Sequence, residues 1–398
     1  MTAPASRPLT PATRPLRLAL VAAEESGDAL GGALMGALRR LDGTITFTGV
    51  GGRAMGSQGI ASPFDIADLS IIGVASIPAR LPLIFRRIRE TTAAIVAARP
   101  DALVIIDSPD FTHRVARRVR KAAPDIPIIN YAPPSVWAWR QGRARAMCAY
   151  VDAVLAILPF EPAAFERLHG PLCLYVGHPL AERIGALRPN AEEARRRAAD
   201  PPLVLVLPGS RRGEIKRFAA TFGAAIALAA ERAGPFELVL PTLPHVASQV
   251  AEATATWPVR PRVVIDAAEK YAAFRGARAA LAKSGTVTLE LALAQVPTVA
   301  AYRIAAWEAP IYRRLVRVSS VILANLVIGE NVVPEMLQEE FVPELIAEKL
   351  TPLIGDTPER RRQLEGFARL DAVMEIGGEP PSQKAARAVL DVVARGRA

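Results

Sequence analysis

RLALVAAEESGDALGGALMGALRRLDGTITFTGVGG, residues 17–52, decides the fold class. RLALVAAE (17–24) is an apolar run of strand length that ends in a carboxylate. ESGDALGG is a turn of small residues, and an amphipathic stretch then carries the chain to Arg40. ITFTGVGG (45–52) is a second strand. Strand, helix and strand at this spacing make a βαβ unit, in which the crossover helix forces the strands parallel. The alternation continues through ALVIID (102–107), IPIINYA (126–132), AVLAILP (153–159) and CLYVGHP (173–179). After Gly185 the charged stretch RPNAEEARRRAADPP breaks the pattern. It restarts with LVLVLPGSR (203–211), FELVLP (236–241), RVVID (262–266), AALAKSG (279–285) and PTVAAYR (297–303), with helical patterns closing the chain.

The expected architecture is α/β: two Rossmann-like domains whose parallel sheets face each other across a cleft. A Pro-rich lead (1–16) precedes a first domain (17–185) and a second (186–375), and a C-terminal helix (376–398) is placed to pack back on the first. The lead has no apolar core of signal-peptide length. No run of eighteen apolar residues occurs; the greasiest stretch, 318–329, contains Ser319, Ser320 and Asn325. A spanning helix is not expected.

The chain of 398 residues carries a formal charge of +10. Nucleic acid, an anionic membrane surface, phosphorylated substrates and a generally Arg-rich composition all accommodate that charge. Nucleic acid fits worst, because the arginines are scattered, aromatics make up 6% and no recognised module is present. Two cysteines, Cys148 and Cys173, make no disulfide framework. The four histidines, His113, His169, His178 and His245, have no metal-ligand spacing, so no metal and no other cofactor is expected. G-x-S-x-G is absent, which argues against a nucleophile-elbow hydrolase.

Ligands of parallel sheets sit beyond the carboxyl ends of the strands. Glu24, Ser26 and Asp28 follow the first strand, where Ser26 or Asp28 is placed to cap the helix, and Gly31 and Gly32 allow a close approach. There is no GxGxxG and no acid closing the second strand, so a dinucleotide site is excluded. Asp107 ends an apolar strand and is a candidate base; Asp110, two residues into SPDF, is its rival as base or helix cap. In PPSVWAWRQGRAR, Trp137 and Trp139 would share a face of an extended segment and offer packing for a sugar or acyl chain. Arg140, Arg143 and Arg145 follow and could meet phosphate; a loop buried by its aromatics is the other reading. His178 ends the sixth strand.

LVLVLPGSRRGEI is the strongest local signal. A buried strand breaks at Pro208-Gly209, and Ser210 and Arg211 open a helix, bringing backbone N–H groups and a guanidinium to one point, as a diphosphate requires. KSGTVTLE repeats the arrangement, with Ser284, Gly285 and Thr286 in the turn and Glu290 placed to accept ribose hydroxyls. The stretch 71–90, IIGVASIPARLPLIFRRIRE, mixes bulky aliphatics with Arg80, Arg86, Arg87 and Arg89. It reads either as a membrane-interface segment or as a helix packed on the sheet with a basic solvent face.

Together, LVAAEESGDALGGALMGALR, GVGGRAM, LVIIDSPDF, NYAPPSVWAWRQGR, LAILPFE, YVGHPLAE, LPGSRRGEI, KSGTVTLE and LANLVIGENVVPEMLQ resemble the lipid-A-disaccharide synthases, in family order from Leu18 to about Gln338. Departures are Ala23 and Pro133, where relatives often have Gly and Ser, and Ser76 in place of an acid. The resemblance implies the GT-B fold and an inverting glycosyl transfer from UDP-2,3-diacylglucosamine to 2,3-diacylglucosamine 1-phosphate, without metal or cofactor. It implies Asp107 as base, Arg211 with the 284–286 turn on the diphosphate, Glu290 on the ribose, Asn325 in a donor-site loop, and Glu24, Ser26 and Asp28 as acceptor-side or cleft residues, where the end of its strand also puts His178. It also implies lipid-anchored substrates and so a peripheral place on the cytoplasmic face of the inner membrane, for which Arg80, Arg86, Arg87 and Arg89 of the 71–90 stretch are the candidate contacts; a homodimer is admitted.

Overall fold

In the computed structural model of the chain the described residues are 14–69, 77–304 and 318–396, without the side chains of 77–80. Ser76, Arg80 and the opening of the 71–90 stretch therefore lie outside the description, as does the lead before Arg14. The chain forms two units, one of residues 1–179 with 379–398 and one of residues 180–378. Each is built on one six-stranded parallel sheet.

The first sheet comprises β1 (Arg17–Ala22), β2 (Thr46–Val50), β3 (Ala102–Ile106), β4 (Ile128–Tyr131), β5 (Ala153–Ala156) and β6 (Leu172–Tyr175), in the order β2-β1-β3-β4-β5-β6. Every residue of β3 is buried, because helices cover both faces. Alternate residues of β1 enter different cores, as the period of a strand requires. Leu18 and Leu20 pack with Leu34 and Leu38 of α1 (Glu25–Leu41) and with Val389 and Val393 of the terminal helix Pro381–Gly396. Ala19 and Val21 pack with Ile88 and Ile95 of α3 (Ile77–Ala98) and with Val115 and Val119 of α4 (Pro109–Ala122). The terminal helix is thus a structural part of the first unit. Two short helices, α2 (Arg53–Ser57) and α5 (Gly142–Met147), and α6 (Glu161–Arg167) complete what bears on the site.

The second sheet comprises β7 (Leu203–Leu207), β8 (Glu237–Pro241), β9 (Arg262–Val264), β10 (Ala279–Lys283), β11 (Thr298–Tyr302) and β12 (Glu335–Leu337), in the order β12-β11-β10-β7-β8-β9. β12 was not foreseen in the sequence: three residues behind Pro334 carry no strand signal, and pairing with β11 makes them one. Phe218 and Phe222 of the Arg212–Ala233 helix pack with Phe341, and Phe218 with Tyr302, in this unit's core.

In each sheet the strand order reverses once, between β1 and β3 and between β7 and β10. There the helices following the two strands leave to opposite faces and open a crevice, the usual ligand position in such sheets. Asp107 and Ser26 stand at the first reversal, and Ser210, Arg211 and residues 284–286 at the second.

Candidate functional site

At the first reversal point the chain leaves β3 with Asp107 at φ +51° and Ser108 at φ +43°. Two successive non-glycine residues in the left-handed region are strained, and such strain persists where surrounding bonds over-determine it. Asp107 N–H donates to the Tyr131 carbonyl at 3.1 Å, and Thr112 Oγ1 donates to the Asp107 carbonyl at 2.6 Å. The carboxylate accepts the Ser108 N–H on Oδ1 and the Ser26 hydroxyl on Oδ2, both at 2.7 Å. Ser26 reaches it because α1 passes very close: a Cβ on Gly27 would lie 3.1 Å from the Ile106 carbonyl oxygen and 3.5 Å from Asp107 Cβ. Asp107 is half-buried, whereas Asp110 is exposed in the first turn of α4. The geometry holds Asp107 and leaves Asp110 to the solvent.

The neighbouring acceptor-side candidates divide. Glu24 is exposed and occupies the N-cap position of α1 with no capping bond from its side chain; neither Ser26 nor Asp28 caps that helix. Asp28 is buried, and its carboxylate accepts the N–H groups of Gly52, Ala54 and Met55 at 2.7, 2.8 and 3.0 Å. It ties α1 to the entry of α2, and Gly32 faces the Ala54 backbone rather than a ligand. Asp28→Ala is expected to leave three N–H groups without that partner and lower stability by about 2–4 kcal/mol, read from urea unfolding. An unchanged midpoint would remove this structural assignment. His178 is buried, and desolvation lowers its pKa to about 4, so it is neutral at pH 7.

Trp137 and Trp139 do not share a face. Their segment is a turn, closed by Trp139 N–H to the Ser135 carbonyl at 3.3 Å, instead of the extended run expected. Trp137 is buried edge-on against Phe160 at 5.0 Å and donates its Nε1–H to Glu161 Oε1 at 3.2 Å. Glu161 also accepts the N–H groups of Ile157 and Leu158. Burial nevertheless pushes its carboxyl up to about 7. Trp139 is left exposed.

At the second reversal point, a pocket of about 420 Å³ is lined by Gly209, Ser210, Arg211, Glu214, Lys270, Lys283, Gly285, Thr286 and Glu290, among others. Its size is in the range of small-ligand sites, about 300–1,000 Å³. A larger hollow in the same unit, beside Asp200, Pro202 and Arg278, sits at the amino ends of β7 and β10, away from this edge. The β7 turn differs from expectation. Its amides are already engaged, with Ser210 N–H and Arg211 N–H donating to Glu214 Oε2 at 3.0 and 3.3 Å. Gly209, at φ +125°, is required here, since a Cβ would lie 2.5 Å from that oxygen. Burial opposes the charge on Glu214, but Lys283 at 3.1 Å, the Ser210 amide and Arg211 outweigh it and hold the carboxyl below its usual range. With those two amides engaged, the side chain the turn offers a diphosphate is the Arg211 guanidinium, 83% exposed.

Glu290 Oε2 accepts from Lys270 Nζ at 2.7 Å, which fixes the carboxylate at the pocket wall. Gly285 and Thr286 line the pocket, whereas the Ser284 hydroxyl turns to the Val321 carbonyl at 3.3 Å. Asn325 is buried: Oδ1 accepts the N–H groups of Val332 and Val333, and Nδ2 donates to the Val333 carbonyl and to Glu335. Its side chain braces the loop before β12 instead of lining the pocket. Sequence reasoning missed Lys270, Lys283 and Glu214. Lys283 and Glu214 had a signal, inside the KSGTVTLE and LVLVLPGSRRGEI stretches; Lys270 lies on another helix with no local motif.

On α3, Leu81 and Phe85 are exposed, with Arg86 and Arg89 exposed beside them. Arg87 is turned inward, stacked on Phe64 at 4.5 Å and paired with Asp68 at 2.8 Å and Glu90 at 3.0 Å. Among the described residues no helix is long and apolar enough to cross a membrane, and no three His, Cys, Asp or Glu side chains gather as a metal site.

Two parallel α/β units, each with polar residues at its reversal point, define a GT-B architecture. Solved structures share it: MurG of Acinetobacter baumannii (TM-score 0.55, 15% identity, 96% of this chain and 100% of that one) and the calicheamicin glycosyltransferase CalG4 (0.57, 16%, 96% and 99%). A family model for lipid-A-disaccharide synthetase matches residues 18–384. Lipid-A-disaccharide synthases of Nitrobacter hamburgensis and Bradyrhizobium diazoefficiens are 58% and 57% identical, each over 96% of this chain and 97% of the relative. The chain belongs to the lipid-A-disaccharide synthase family of glycosyltransferases.

Proposed function

We propose that the protein transfers the sugar of UDP-2,3-diacylglucosamine to the 6-hydroxyl of 2,3-diacylglucosamine 1-phosphate, with inversion, giving the β-1′,6-linked disaccharide 1-phosphate and UDP. The family match across residues 18–384 carries this reading. In-line attack needs a base on the acceptor hydroxyl opposite the leaving diphosphate. Asp107 is the base: Ser26 and the Ser108 amide orient its carboxylate, and each oxygen keeps a lone pair for the hydroxyl proton. As the new bond to the acceptor oxygen forms, the bond from the anomeric carbon to the β-phosphate oxygen breaks. The acceptor proton passes to Asp107 and the electron pair leaves with UDP. Arg211 meets the growing charge on the diphosphate, and Glu290, steadied by Lys270, holds the ribose.

Mixing both lipid substrates with the purified protein is expected to yield the disaccharide by mass spectrometry, with the rate unchanged by EDTA. No product would overturn the assignment, and a loss reversed by Mg²⁺ or Mn²⁺ would overturn its metal-free form. Both substrates carry acyl chains, so the reaction belongs at the cytoplasmic face of the inner membrane, with the protein bound peripherally. Leu81 and Phe85 would enter the interface and Arg86 and Arg89 attract anionic headgroups, each by about 1 kcal/mol; Arg87 is excluded by its inward pairing. Changing Arg86 and Arg89 to Gln should reduce co-sedimentation with anionic vesicles at low salt. Equal sedimentation of variant and wild type would locate the membrane surface elsewhere.

A further inference from the structure

We propose that Trp139, Arg140 and Arg143 form the site for the phosphomonoester of the acceptor sugar, an inference that rests on the transfer reaction above. The loop after β4 turns out at Ala132, φ +53°, and is clamped by buried Trp137 through Glu161. Beyond that clamp Trp139 is 39% exposed, with the guanidinium carbons of Arg140 and Arg143 over its ring at 4.5 and 5.6 Å. Arg140 itself sits at φ +52°, a strained conformation held at the surface. Among the described residues neither arginine pairs with a carboxylate, and neither guanidinium donates a hydrogen bond. The ring therefore gathers two cations whose guanidinium N–H groups have no partner among the described residues.

Two planar forks with unused edges suit a dianionic group with three terminal oxygens. A phosphomonoester is such a group; the phosphodiester of a membrane phospholipid carries one charge and two terminal oxygens. Position supports the same ligand. β4 is next to β3, and Asp107 is bonded to the β4 carbonyl of Tyr131, so the Trp139 loop and the base leave one sheet edge from adjacent strands. In a pyranose the carbons that bear the anomeric phosphate and the 6-hydroxymethyl group both flank the ring oxygen, so a 6-hydroxyl at Asp107 keeps the phosphate within one sugar of the base, where a loop leaving the adjacent strand can meet it.

The test compares wild type, Trp139→Phe and an Arg140→Gln/Arg143→Gln double variant. Glucosamine 1-phosphate, glucosamine and phosphatidylglycerol vesicles are titrated while tryptophan fluorescence is followed. Glucosamine 1-phosphate alone should change the wild-type signal; Trp139→Phe should lose the response and the double variant should bind more weakly. In turnover, the double variant should raise the acceptor KM about 10- to 100-fold, the range spanned by losing hydrogen bonds to a charged group, with donor KM and UDP affinity as in wild type. Its preference for the phosphorylated acceptor over the same sugar without phosphate should collapse. An unchanged preference, or a response to vesicles and none to glucosamine 1-phosphate, overturns the site. If wild type makes no disaccharide, the parent reaction fails instead, and the titration still decides whether the loop binds a sugar phosphate.

Discussion

Asp107→Asn is expected to lower kcat by about 10²–10⁴, the usual worth of a positioned general base, while UDP affinity stays near wild type. Asparagine keeps the shape: its Oδ1 can still accept the Ser108 amide, and its Nδ2 can donate to the Ser26 hydroxyl oxygen, so the left-handed turn is retained and only the proton acceptor is lost. Asp110→Asn should be nearly silent, because that carboxylate is exposed in the first turn of α4. Ser26→Ala should fall between them: the carboxylate remains but loses the hydroxyl that orients it. Initial rates at saturating donor, with UDP affinity from calorimetry, make the comparison. Full activity in Asp107→Asn together with a dead Asp110→Asn would transfer the role to the exposed carboxylate.

Arg211→Ala should cost about 10²–10³ in kcat, comparable to removing one donor aimed at developing charge, and should weaken donor binding as well. The Ser210 and Arg211 amides of the β7 turn are occupied by Glu214, so those two donors are not spare to take over. The guanidinium is 83% exposed and only 3.7 Å from Glu214, a loose pairing that a diphosphate can outcompete. Arg211→Lys should recover part of the rate, because it restores charge without the planar fork. An Arg211→Ala enzyme with wild-type kcat and a raised donor KM would show that the interaction is equal in ground and transition states, hence binding alone.

Much of this was legible before any coordinates. Apolar runs such as ALVII and LVLVL, five residues long, rich in Val and Ile or Leu and bounded by polar turn residues, read as strands buried on both faces, and the helices between them impose parallel pairing. Eleven strands are legible as short runs between turn residues, the central ones fully apolar and the outer ones less so; β12 is not, because it exists only through its pairing with β11. Asp107, Arg211, Gly285, Thr286 and Glu290 were legible as strand-end and turn residues, since local spacing alone places them at the carboxyl edge.

The division of labour among those polar residues was not legible. Ser26 and Asp28 look alike in sequence, as polar residues just after a strand, yet one reaches Asp107 and the other is consumed by backbone N–H groups beyond the next strand; Asn325 is likewise consumed, by the N–H groups of Val332 and Val333. Trp137 and Trp139 stand two apart, and a turn rather than a strand sends one inward and the other to the surface. Lys270 meets Glu290 across twenty residues, and Arg87 leaves its basic neighbours for Asp68 and Phe64. Hydrophobic periodicity is a local property and survives in one dimension, so the sequence alone determined the two parallel α/β units and the edges where ligands belong. The partner of a carboxylate or an amide is set by whichever donor packing brings within about 3 Å, and only the tertiary structure decided which polar groups remained free to do chemistry.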